Sequence, residues 1–159
     1  MIRVGIGSDI HKFTTSQRKL VIGGVEVPYY KGLIGNSDGD VLIHAVCDSI
    51  LGAIRAGDIG VHFPPDDQRF TDISSMVLLA EVGKMCYQRG YRIVNIDSMV
   101  ICEKPKLQSF IPRMIDNIAE MLKISADSVS IKATTSEGLG FTGRGEGILA
   151  NAVTLVEKT

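Results

Sequence analysis

The sequence predicts an α+β fold, a single domain in which helices pack on one face of a mixed β-sheet. Strand-like and helix-like segments occur in mixed order along the 159 residues, and two adjacent strand-like segments read as a hairpin. No linker, repeat or low-complexity tract interrupts the chain, so we expect one domain over residues 1–159. The composition, 45% hydrophobic and 22% charged, is that of a globular protein with a proper core.

The first half of the chain predicts a strand, a hairpin and a helix. Residues 2–6 have the alternation of a strand, and residues 19–28 form two β-rich arms around a Gly-Gly turn. Ser37 is the predicted N-cap of a helix, with Asp40 at the capping-box position. The helix continues to Ile54 with an apolar stripe of helical period. Loops are expected at residues 32–36 and 57–68.

The second half predicts two helices and three strands. In order, these are a helix at residues 74–88, a strand at 91–103, a helix at 109–122, a strand at 129–134 and a closing segment at 148–157. The alanines of the closing segment favour a helix. Its alternation and its β-branched Val153, Thr154 and Val156 favour a strand, which is our prediction.

Charge and targeting signals exclude several classes of function. Lys and Arg number 17 and Asp and Glu number 18, so the net charge of −1 predicts no binding to nucleic acid or to an anionic membrane. The N-terminus carries charge and lacks the apolar region of a signal peptide, and no apolar run is long enough to span a bilayer. We therefore expect a cytoplasmic protein whose three cysteines, which form no CxxC pair, are buried thiols.

The glycine-rich segment at residues 132–147 has the composition of a binding loop for a charged ligand. Its five glycines allow the backbone to approach a ligand closely. Its hydroxyl groups can donate hydrogen bonds, its arginine can bind a phosphate, and its carboxylate can bind a divalent cation. The implied ligand is a phosphate ester with a metal ion, and the alternative is a surface hairpin with solvated side chains. The residues concerned are Thr134, Thr135, Ser136, Glu137 and Arg144.

Asp9, His11 and His44 are candidate metal ligands. Residues two apart on an extended chain point to the same side, so Asp9 and His11 would project together. With His44 they would make a three-ligand zinc site with an open fourth position. Asp40 or Asp48, each four residues from His44, could orient its imidazole. The alternatives are a chance Asp-x-His pair and a solvent-facing histidine.

Ser37 and His62 are the other polar residues that the pattern singles out. Ser37, at a predicted helix N-terminus, is either an anion-binding residue or an ordinary cap. His62 has no partner at ligand spacing and is interpreted as a loop histidine.

Five motifs together resemble one enzyme family over essentially the whole chain. They are VGIGSDIH at residues 4–11, IGG at 22–24, SDGDVLIH at 37–44, GDIG at 57–60 and KATTSEGLGFTGRGEG at 132–147. The chain is similar to the 2-C-methyl-D-erythritol 2,4-cyclodiphosphate synthase family of the non-mevalonate isoprenoid pathway. No segment corresponds to the cytidylyltransferase domain fused to some members, so we expect the single-function form.

The resemblance implies a homotrimer with active sites between subunits. The implied reaction cyclises 4-diphosphocytidyl-2-C-methyl-D-erythritol 2-phosphate and releases CMP. Zn²⁺ would be held by Asp9, His11 and His44, and Mg²⁺ or Mn²⁺ by Glu137 together with the substrate diphosphate. Asn36 and Thr135 take the catalytic positions. The implied substrate contacts are Ser37, Asp58, Ile59, Gly60, Phe63, Asp67, Cys102, Ala133, Thr134, Ser136, Phe141 and Arg144, with Pro105, Lys106 and Leu107 in the cytosine pocket. Around the channel along the trimer axis the resemblance places Phe141, Arg144 and Glu146.

Two departures from the family pattern affect the expected chemistry. Asn36 stands where many members have a histidine, and an asparagine can donate a hydrogen bond but cannot carry charge. We therefore expect lower or differently pH-dependent activity. The loop after Phe63 contains a second proline, which leaves Asp66 and Asp67 as alternatives for the sugar contact. Two other functions remain open, namely a metal-bound trimeric binding protein and a zinc phosphodiesterase that uses water.

Overall fold

A five-stranded mixed sheet forms the centre of the computed structural model, which describes residues 1–159. Its strand order is β4-β1-β7-β5-β6, and only β5 and β6 pair in parallel. A separate hairpin consists of β2 and β3. The strands are β1 (Ile2–Thr14), β2 (Leu20–Ile22), β3 (Val25–Val27), β4 (Gly32–Leu33), β5 (Tyr91–Ile101), β6 (Val129–Thr134) and β7 (Gly147–Lys158).

The helices cover one face of the sheet. Helix α1 lies against β1 and β7, α3 packs on α1, and α4 packs on α3 and β6. Gly5 and Gly7 of β1 make room for α1, because a Cβ at either position would lie about 2.0 Å from a backbone oxygen of that helix. The helices are α1 (Val41–Ala53), α2 (Ile59–His62), α3 (Ser75–Gln88), α4 (Ile111–Leu122) and α5 (Gly140–Gly143).

The opposite face of the sheet is open and is largely apolar along β1 and β7, whereas Lys132 and Asp97 form an ion pair on β6 and β5. Residues of β1 alternate along the strand, so the glycines face the helices while the residues between them face outward. The outward set includes Ile2, Val4, Ile6 and Ile10, each more than half exposed, together with Val153 of β7. This open apolar face runs across two neighbouring strands.

The structure confirms an α+β fold with a mixed sheet and corrects several local predictions. Strand β1 is thirteen residues long, so Asp9 and His11 lie within it and not after it. The predicted loops contain the short strand β4 and the single helical turns α2 and α5. The closing segment is a strand, as predicted. No helix is both long and apolar enough to cross a membrane.

Helix α1 begins at a different cap from the predicted one. Asp40, not Ser37, is the N-cap, and its carboxylate accepts a hydrogen bond from the backbone N–H of Ile43. The same carboxylate accepts hydrogen bonds from the N–H groups of Gly23 and Gly24. The hairpin turn is therefore tied to the start of α1, and this tertiary bond is what the capping pattern could not reveal.

Candidate active site

Asp9, His11 and His44 meet at one point between β1 and α1. Asp9 Oδ2 lies 2.8 Å from His11 Nε2 and 3.0 Å from His44 Nδ1, and the two nitrogens are 3.1 Å apart. Asp9 and His11 are two residues apart on the face of β1 that meets the helices, and His44 projects from the first turn of α1. The sequence prediction that these three residues cluster is confirmed.

The spacing of these three atoms fits a tetrahedral cation. Zinc binds nitrogen and oxygen ligands at about 2.0–2.1 Å, so the ligand atoms of a tetrahedral site stand about 3.3 Å apart. The observed separations, 2.8 to 3.1 Å, require only a small outward movement to reach that value. The donor set, two imidazoles and one carboxylate, is one that binds zinc. These residues can therefore hold a metal ion.

The second nitrogen of each histidine has an oxygen partner. His11 Nδ1 donates to the backbone carbonyl of Ile34, which leaves His11 Nε2 to face the cluster. His44 Nε2 lies 3.0 Å from Ser37 Oγ and 2.8 Å from Ser75 Oγ. Such partners fix the orientation of a metal-binding imidazole.

Neither predicted aspartate orients His44, so that prediction is wrong. Asp40 is committed to the hairpin turn and the helix cap. Asp48 Oδ1 accepts a hydrogen bond from the backbone N–H of Ile59, which ties α1 to α2. Residues four apart share a helix face, which is why the spacing favoured these aspartates. The oxygen atoms that contact His44 Nε2 instead belong to the hydroxyl groups of Ser37 and Ser75.

The charges of the cluster are mutually stabilising. Burial would raise the pKa of Asp9, but hydrogen bonds from His11 and His44 and their positive charge hold it well below its usual range. Burial would lower the pKa of His11, but its hydrogen bond to Asp9 outweighs that effect and raises it. The carboxylate is therefore ionised at neutral pH, as a metal ligand must be.

Asn36 and Ser37 lie beside the cluster on a segment whose backbone carbonyl groups accept hydrogen bonds from other parts of the chain. Arg18 donates to the carbonyl oxygens of Gly35, at 2.9 Å, and of Ser37. The N–H of Asp72 donates to the carbonyl oxygen of Asn36 at 2.8 Å. The side chain of Asn36 is exposed while that of Ser37 is buried against His44. Ser37 lies three residues before the helix cap, so a helix N-terminus is not the reason for an anion to bind there.

A small cavity of about 200 Å³ opens next to His44. Phe63 and Phe70 meet edge to face in its wall, with ring centroids 5.3 Å apart. Its size and mixed lining suit a small, partly apolar group held next to the metal ligands. The other lining residues are Asn36, Ser37, Ile59, Gly60, Pro65 and Leu78.

A second group of candidate residues collects where the parallel strands β5 and β6 end. The N–H of Cys102 donates to the carbonyl oxygen of Thr134 at 3.0 Å, and the peptide bond before Pro105 is cis. Burial raises the pKa of the Cys102 thiol to about 11, so it stays protonated and donates to the Pro105 carbonyl oxygen at 3.7 Å. In this group Ala133, Thr134, Thr135 and Lys106 are exposed, Pro105 is half-buried and Leu107 is buried.

Glu103 organises the glycine-rich loop. Its Oε1 accepts hydrogen bonds from the N–H of Ser136 at 3.1 Å, from the hydroxyl of Ser136 at 3.3 Å and from the N–H of Gly138 at 3.2 Å. Between these residues, Glu137 has φ of 54° and an exposed carboxylate, which accepts from Thr135 Oγ1 at 3.1 Å. Glu137 belongs to no group of three ligand residues, so a cation there would need oxygen ligands from elsewhere.

The remaining candidates lie at the edges of these two groups. Arg144 Nε donates to Glu146 Oε1 at 2.8 Å, and Phe141 is half-buried on α5. Asp67 accepts hydrogen bonds from Arg69, which lower its pKa. Exposed Asp58 caps α2 by accepting from the N–H of Val61. His62 Nε2 donates to the Ala56 carbonyl oxygen at 2.7 Å, away from the cluster.

One chain does not bring the two groups together. Asp9 pairs with Ala150, Ala150 with Val100, and Val100 with Ala133, so the row crosses four strands. With neighbouring strands about 4.8 Å apart, Asp9 and Ala133 are about 14 Å apart along this row. The metal cluster and the glycine-rich loop therefore lie at a similar level along the strands but are separated by two strands.

Three residues that hold the site in place were not recognised in the sequence. Ser75 contacts His44 from a helix 31 residues away, Glu103 binds the loop from a strand end, and Arg18 fixes the segment before α1. None of them belongs to a short motif, and a lone serine or arginine carries no signal of its role.

These features define a single-domain α+β protein with a candidate metal centre between β1 and α1. The chain belongs to the YgbB family, whose model matches residues 2–157. It is 56% identical over 158 residues to the 2-C-methyl-D-erythritol 2,4-cyclodiphosphate synthase of Pelotomaculum thermopropionicum, covering 99% of this chain and 97% of that protein.

Solved structures of related proteins have the same fold. The bifunctional IspDF from Campylobacter jejuni superposes with a TM-score of 0.96 at 38% identity; the match covers 100% of this chain and 43% of that longer chain. IspF of Plasmodium falciparum, in complex with CDP, superposes with a TM-score of 0.87 at 34% identity over 99% of this chain and 97% of that one. The expectation from the sequence motifs is confirmed at the level of the family.

Proposed function

We propose that this protein is a 2-C-methyl-D-erythritol 2,4-cyclodiphosphate synthase, in which residues 1–159 form one catalytic domain. It converts 4-diphosphocytidyl-2-C-methyl-D-erythritol 2-phosphate to the 2,4-cyclodiphosphate and releases CMP, as a phosphorus–oxygen lyase. The observation that carries this proposal is the Asp9–His11–His44 cluster in a chain that matches synthases of this name along almost its whole length.

The reaction needs positioning and charge neutralisation more than a protein nucleophile. An oxygen of the 2-phosphate forms a bond to the β-phosphorus, while the bond from that phosphorus to the oxygen bridging the α-phosphate breaks. CMP leaves with that oxygen, so atoms and charge balance without water. Two anionic groups must approach each other, and fixed donors reduce the cost of doing so.

The two cation sites divide between the two groups of residues. Asp9, His11 and His44 would hold zinc, and Glu137 would hold magnesium or manganese, for which substrate phosphates complete the ligand set. When bound, these cations neutralise phosphate charge and polarise the phosphorus–oxygen bonds. The exposed position of Glu137 leaves room for a diphosphate at its carboxylate.

The side chains around the cations orient the substrate. Asn36 and Thr135 donate hydrogen bonds to the reacting phosphates in this proposal, and Ser37, Thr134, Ser136 and Arg144 bind phosphate oxygens. The small cavity lined by Ile59, Gly60 and Phe63 takes the methylerythritol unit in this proposal. Asp58 and Asp67, which are close in sequence to its lining residues, are further substrate contacts. Pro105, Lys106 and Leu107 form the cytosine pocket in this proposal, and Cys102 and Ala133 are further substrate contacts.

A homotrimer would complete the active site. The metal cluster and the glycine-rich loop of one chain are about 14 Å apart across two strands, which leaves each group to be completed by a neighbouring chain. The open apolar face of Ile2, Val4, Ile6 and Ile10 is the surface that assembly would bury. In this arrangement Phe141, Arg144 and Glu146 lie around the trimer axis. Sedimentation equilibrium at the mass of three chains tests the assembly.

Two other functions are less consistent with the site. A zinc phosphodiesterase needs a general base beside the metal, but His11 and His44 are ligands and His62 Nε2 is bonded to Ala56. A binding protein without turnover would be favoured only by Asn36, which lacks the charge of the usual histidine. The synthase is therefore our conclusion, and the protein is proposed to act in the cytoplasm, where its three buried thiols stay reduced.

Phosphorus NMR of the purified protein with zinc, magnesium and 4-diphosphocytidyl-2-C-methyl-D-erythritol 2-phosphate tests the function. We expect a cyclic diphosphate and an equal amount of CMP, and no product after the metals are removed by chelation. CMP together with a non-cyclic 2,4-bisphosphate would mean that water is the nucleophile and that the hydrolase interpretation is right. Unchanged substrate that remains bound would favour the binding protein.

A further inference from the structure

We propose that Ser75, held by Asp38, is a positioning residue of the metal centre. It accepts a hydrogen bond from His44 Nε2–H and thereby directs His44 Nδ1 to the metal. This inference rests on the proposed metal-binding role of Asp9, His11 and His44. Ser75 lies outside the set of residues that the sequence motifs assign to the site.

The first step of the argument concerns the position of Ser75. It is completely buried in the first turn of α3, and its Oγ lies 2.8 Å from His44 Nε2, on the side of the ring opposite to Asp9. A neutral imidazole carries one proton, on one of its two nitrogens. With a metal bound, the Nδ1–H···Asp9 contact of the metal-free cluster would be replaced by a bond to the metal. A hydrogen-bond acceptor at Nε2 would then hold the one imidazole proton there and leave the lone pair of Nδ1 for the metal.

The second step concerns the direction of the Ser75 hydroxyl. A hydroxyl group can either donate to an imidazole nitrogen or accept from it, and its own proton decides which. Asp38 Oδ1 accepts the Ser75 hydroxyl proton, and Asp38 Oδ2 accepts the Ser75 N–H at 3.0 Å. Because the proton of Ser75 is committed to a carboxylate, the serine oxygen presents its lone pairs to His44.

The third step separates Ser75 from Ser37. Ser37 Oγ is also within reach of His44 Nε2, at 3.0 Å, but its oxygen accepts the N–H of Gly39 and no carboxylate binds its proton. With the single Nε2 proton taken by Ser75, the hydroxyl proton of Ser37 has only a long contact to Ser75 Oγ, at 3.4 Å, which a ligand oxygen can replace. The two serines thus have different tasks, one toward the histidine and one toward the substrate.

The test compares zinc affinities of the full-length protein, measured by competition with a chromophoric chelator after metal removal. Ser75→Ala should bind zinc about 10- to 100-fold more weakly than the wild type, and Ser75→Thr, which keeps the hydroxyl, should recover most of that loss. Ser74→Ala is the matched control, because Ser74 caps the same helix without contacting His44. It should keep wild-type zinc affinity despite the loss of the cap. Activity of Ser75→Ala should return at excess zinc.

The outcomes separate this inference from the proposed function. A folded Ser75→Ala protein with wild-type zinc affinity overturns the role of Ser75 while leaving the synthase intact. Ser37→Ala should keep its zinc affinity and raise the KM; an equal loss of zinc affinity in that variant also overturns the assignment. A wild-type protein that does not bind zinc removes the metal site and this inference together. If Ser75→Ala does not fold, Asp38→Ala should also weaken zinc binding, because it frees the Ser75 hydroxyl proton to donate to His44 Nε2. Unchanged zinc affinity in that variant overturns the inference.

Discussion

Gly7 of β1 is in direct backbone contact with Ala45 of α1: a Cβ on residue 7 would lie 2.0 Å from the Ala45 carbonyl oxygen. Because this contact sets the distance between the strand and the helix, it also sets the distance between the ligands that each of them carries. Asp9 and His11 follow Gly7 on the same face of β1, and His44 precedes Ala45 on α1. The geometry of the metal cluster thus depends on the absence of a side chain at residue 7.

Gly7→Ala should therefore destabilise the protein and weaken zinc binding together. Overpacking at a backbone contact costs about 3 kcal/mol or more in the free energy of unfolding, measured by urea denaturation. Gly52→Ala is the control, since a Cβ there has only ordinary contacts of 3.6 Å or more and alanine is favoured in helices. Gly52→Ala should be neutral or more stable by up to about 1 kcal/mol. Equal effects of the two substitutions would contradict this account.

His44→Ala should remove zinc and activity in one step. It leaves only Asp9 and His11 of the three ligand residues, and two ligands do not make a tight zinc site. Zinc content per chain after dialysis, measured by mass spectrometry, is the direct readout. His62→Ala, whose imidazole bonds to the Ala56 carbonyl oxygen, should keep its zinc. Stoichiometric zinc in His44→Ala would exclude His44 as a ligand.

Asn36→His should raise the turnover rate and give it a new pH dependence. A hydrogen bond from a charged donor is roughly twice as strong as a neutral one, so we expect a gain in kcat of about tenfold at low pH. An exposed imidazole loses its proton near pH 6.5, so the gain should disappear as the pH rises through that value. The ratio of the kcat values of variant and wild type between pH 5.5 and 8 is the measurement. A ratio that does not change with pH would rule out a charged role at position 36.

Glu103→Ala should raise the KM for substrate without removing zinc. The substitution deletes the acceptor of three hydrogen bonds that shape the loop around Glu137. Loss of such charge-assisted bonds costs about 1.5–3 kcal/mol, equivalent to at least about a tenfold rise in KM if the loop must be reordered on binding. Glu103→Gln keeps an accepting oxygen but loses the charge, so its KM should rise less than that of Glu103→Ala. Steady-state kinetics of the two variants at saturating metal would separate them, and a normal KM in Glu103→Ala would refute the role.

Asp40 should make stability fall as the pH rises from about 4 to 6. Complete burial, together with the nearby charge of Asp38, raises the pKa of Asp40 from 3.8 to about 6 in the folded protein. Between these values the folded state keeps a proton that the unfolded chain has lost, so the free energy of unfolding decreases by up to about 3 kcal/mol. The unfolding free energies of metal-free wild type and Asp40→Asn, compared at pH 4 and pH 7, isolate this effect. If the unfolding free energy of the wild type minus that of Asp40→Asn stayed constant or increased with pH, the carboxyl would ionise at or below its ordinary pKa.

The sequence predicted the elements with strong periodicity and the ligands with fixed spacing. The alternation that makes β1 a strand also places Asp9 and His11 on one face, so that pair could be deduced before the structure. The N-cap of α1 could not be deduced from the sequence, because Ser37 and Asp40 are both good capping residues. What selects Asp40 is its bonds to the hairpin turn, which is distant in sequence.

Local sequence patterns also could not predict which residues orient the His44 imidazole. Asp40 and Asp48 share its helix, and spacing alone favoured them. The oxygen atoms that actually contact Nε2 come from Ser37 and Ser75, one from the segment before the helix and one from α3. Only the packing of α3 against α1 brings Ser75 there. Contacts between elements distant in sequence are set by packing, and single residues give no sign of them.

The separation of Asp9 and Ala133 by two strands has a genetic consequence. In the proposed trimer each catalytic unit takes its zinc ligands from one chain and its glycine-rich loop from the next. A chain whose zinc ligands are mutated still contributes an intact glycine-rich loop to its neighbour. A chain whose loop is mutated still contributes intact zinc ligands. Two alleles that are each inactive alone can therefore restore some working units when both are expressed in the same cell.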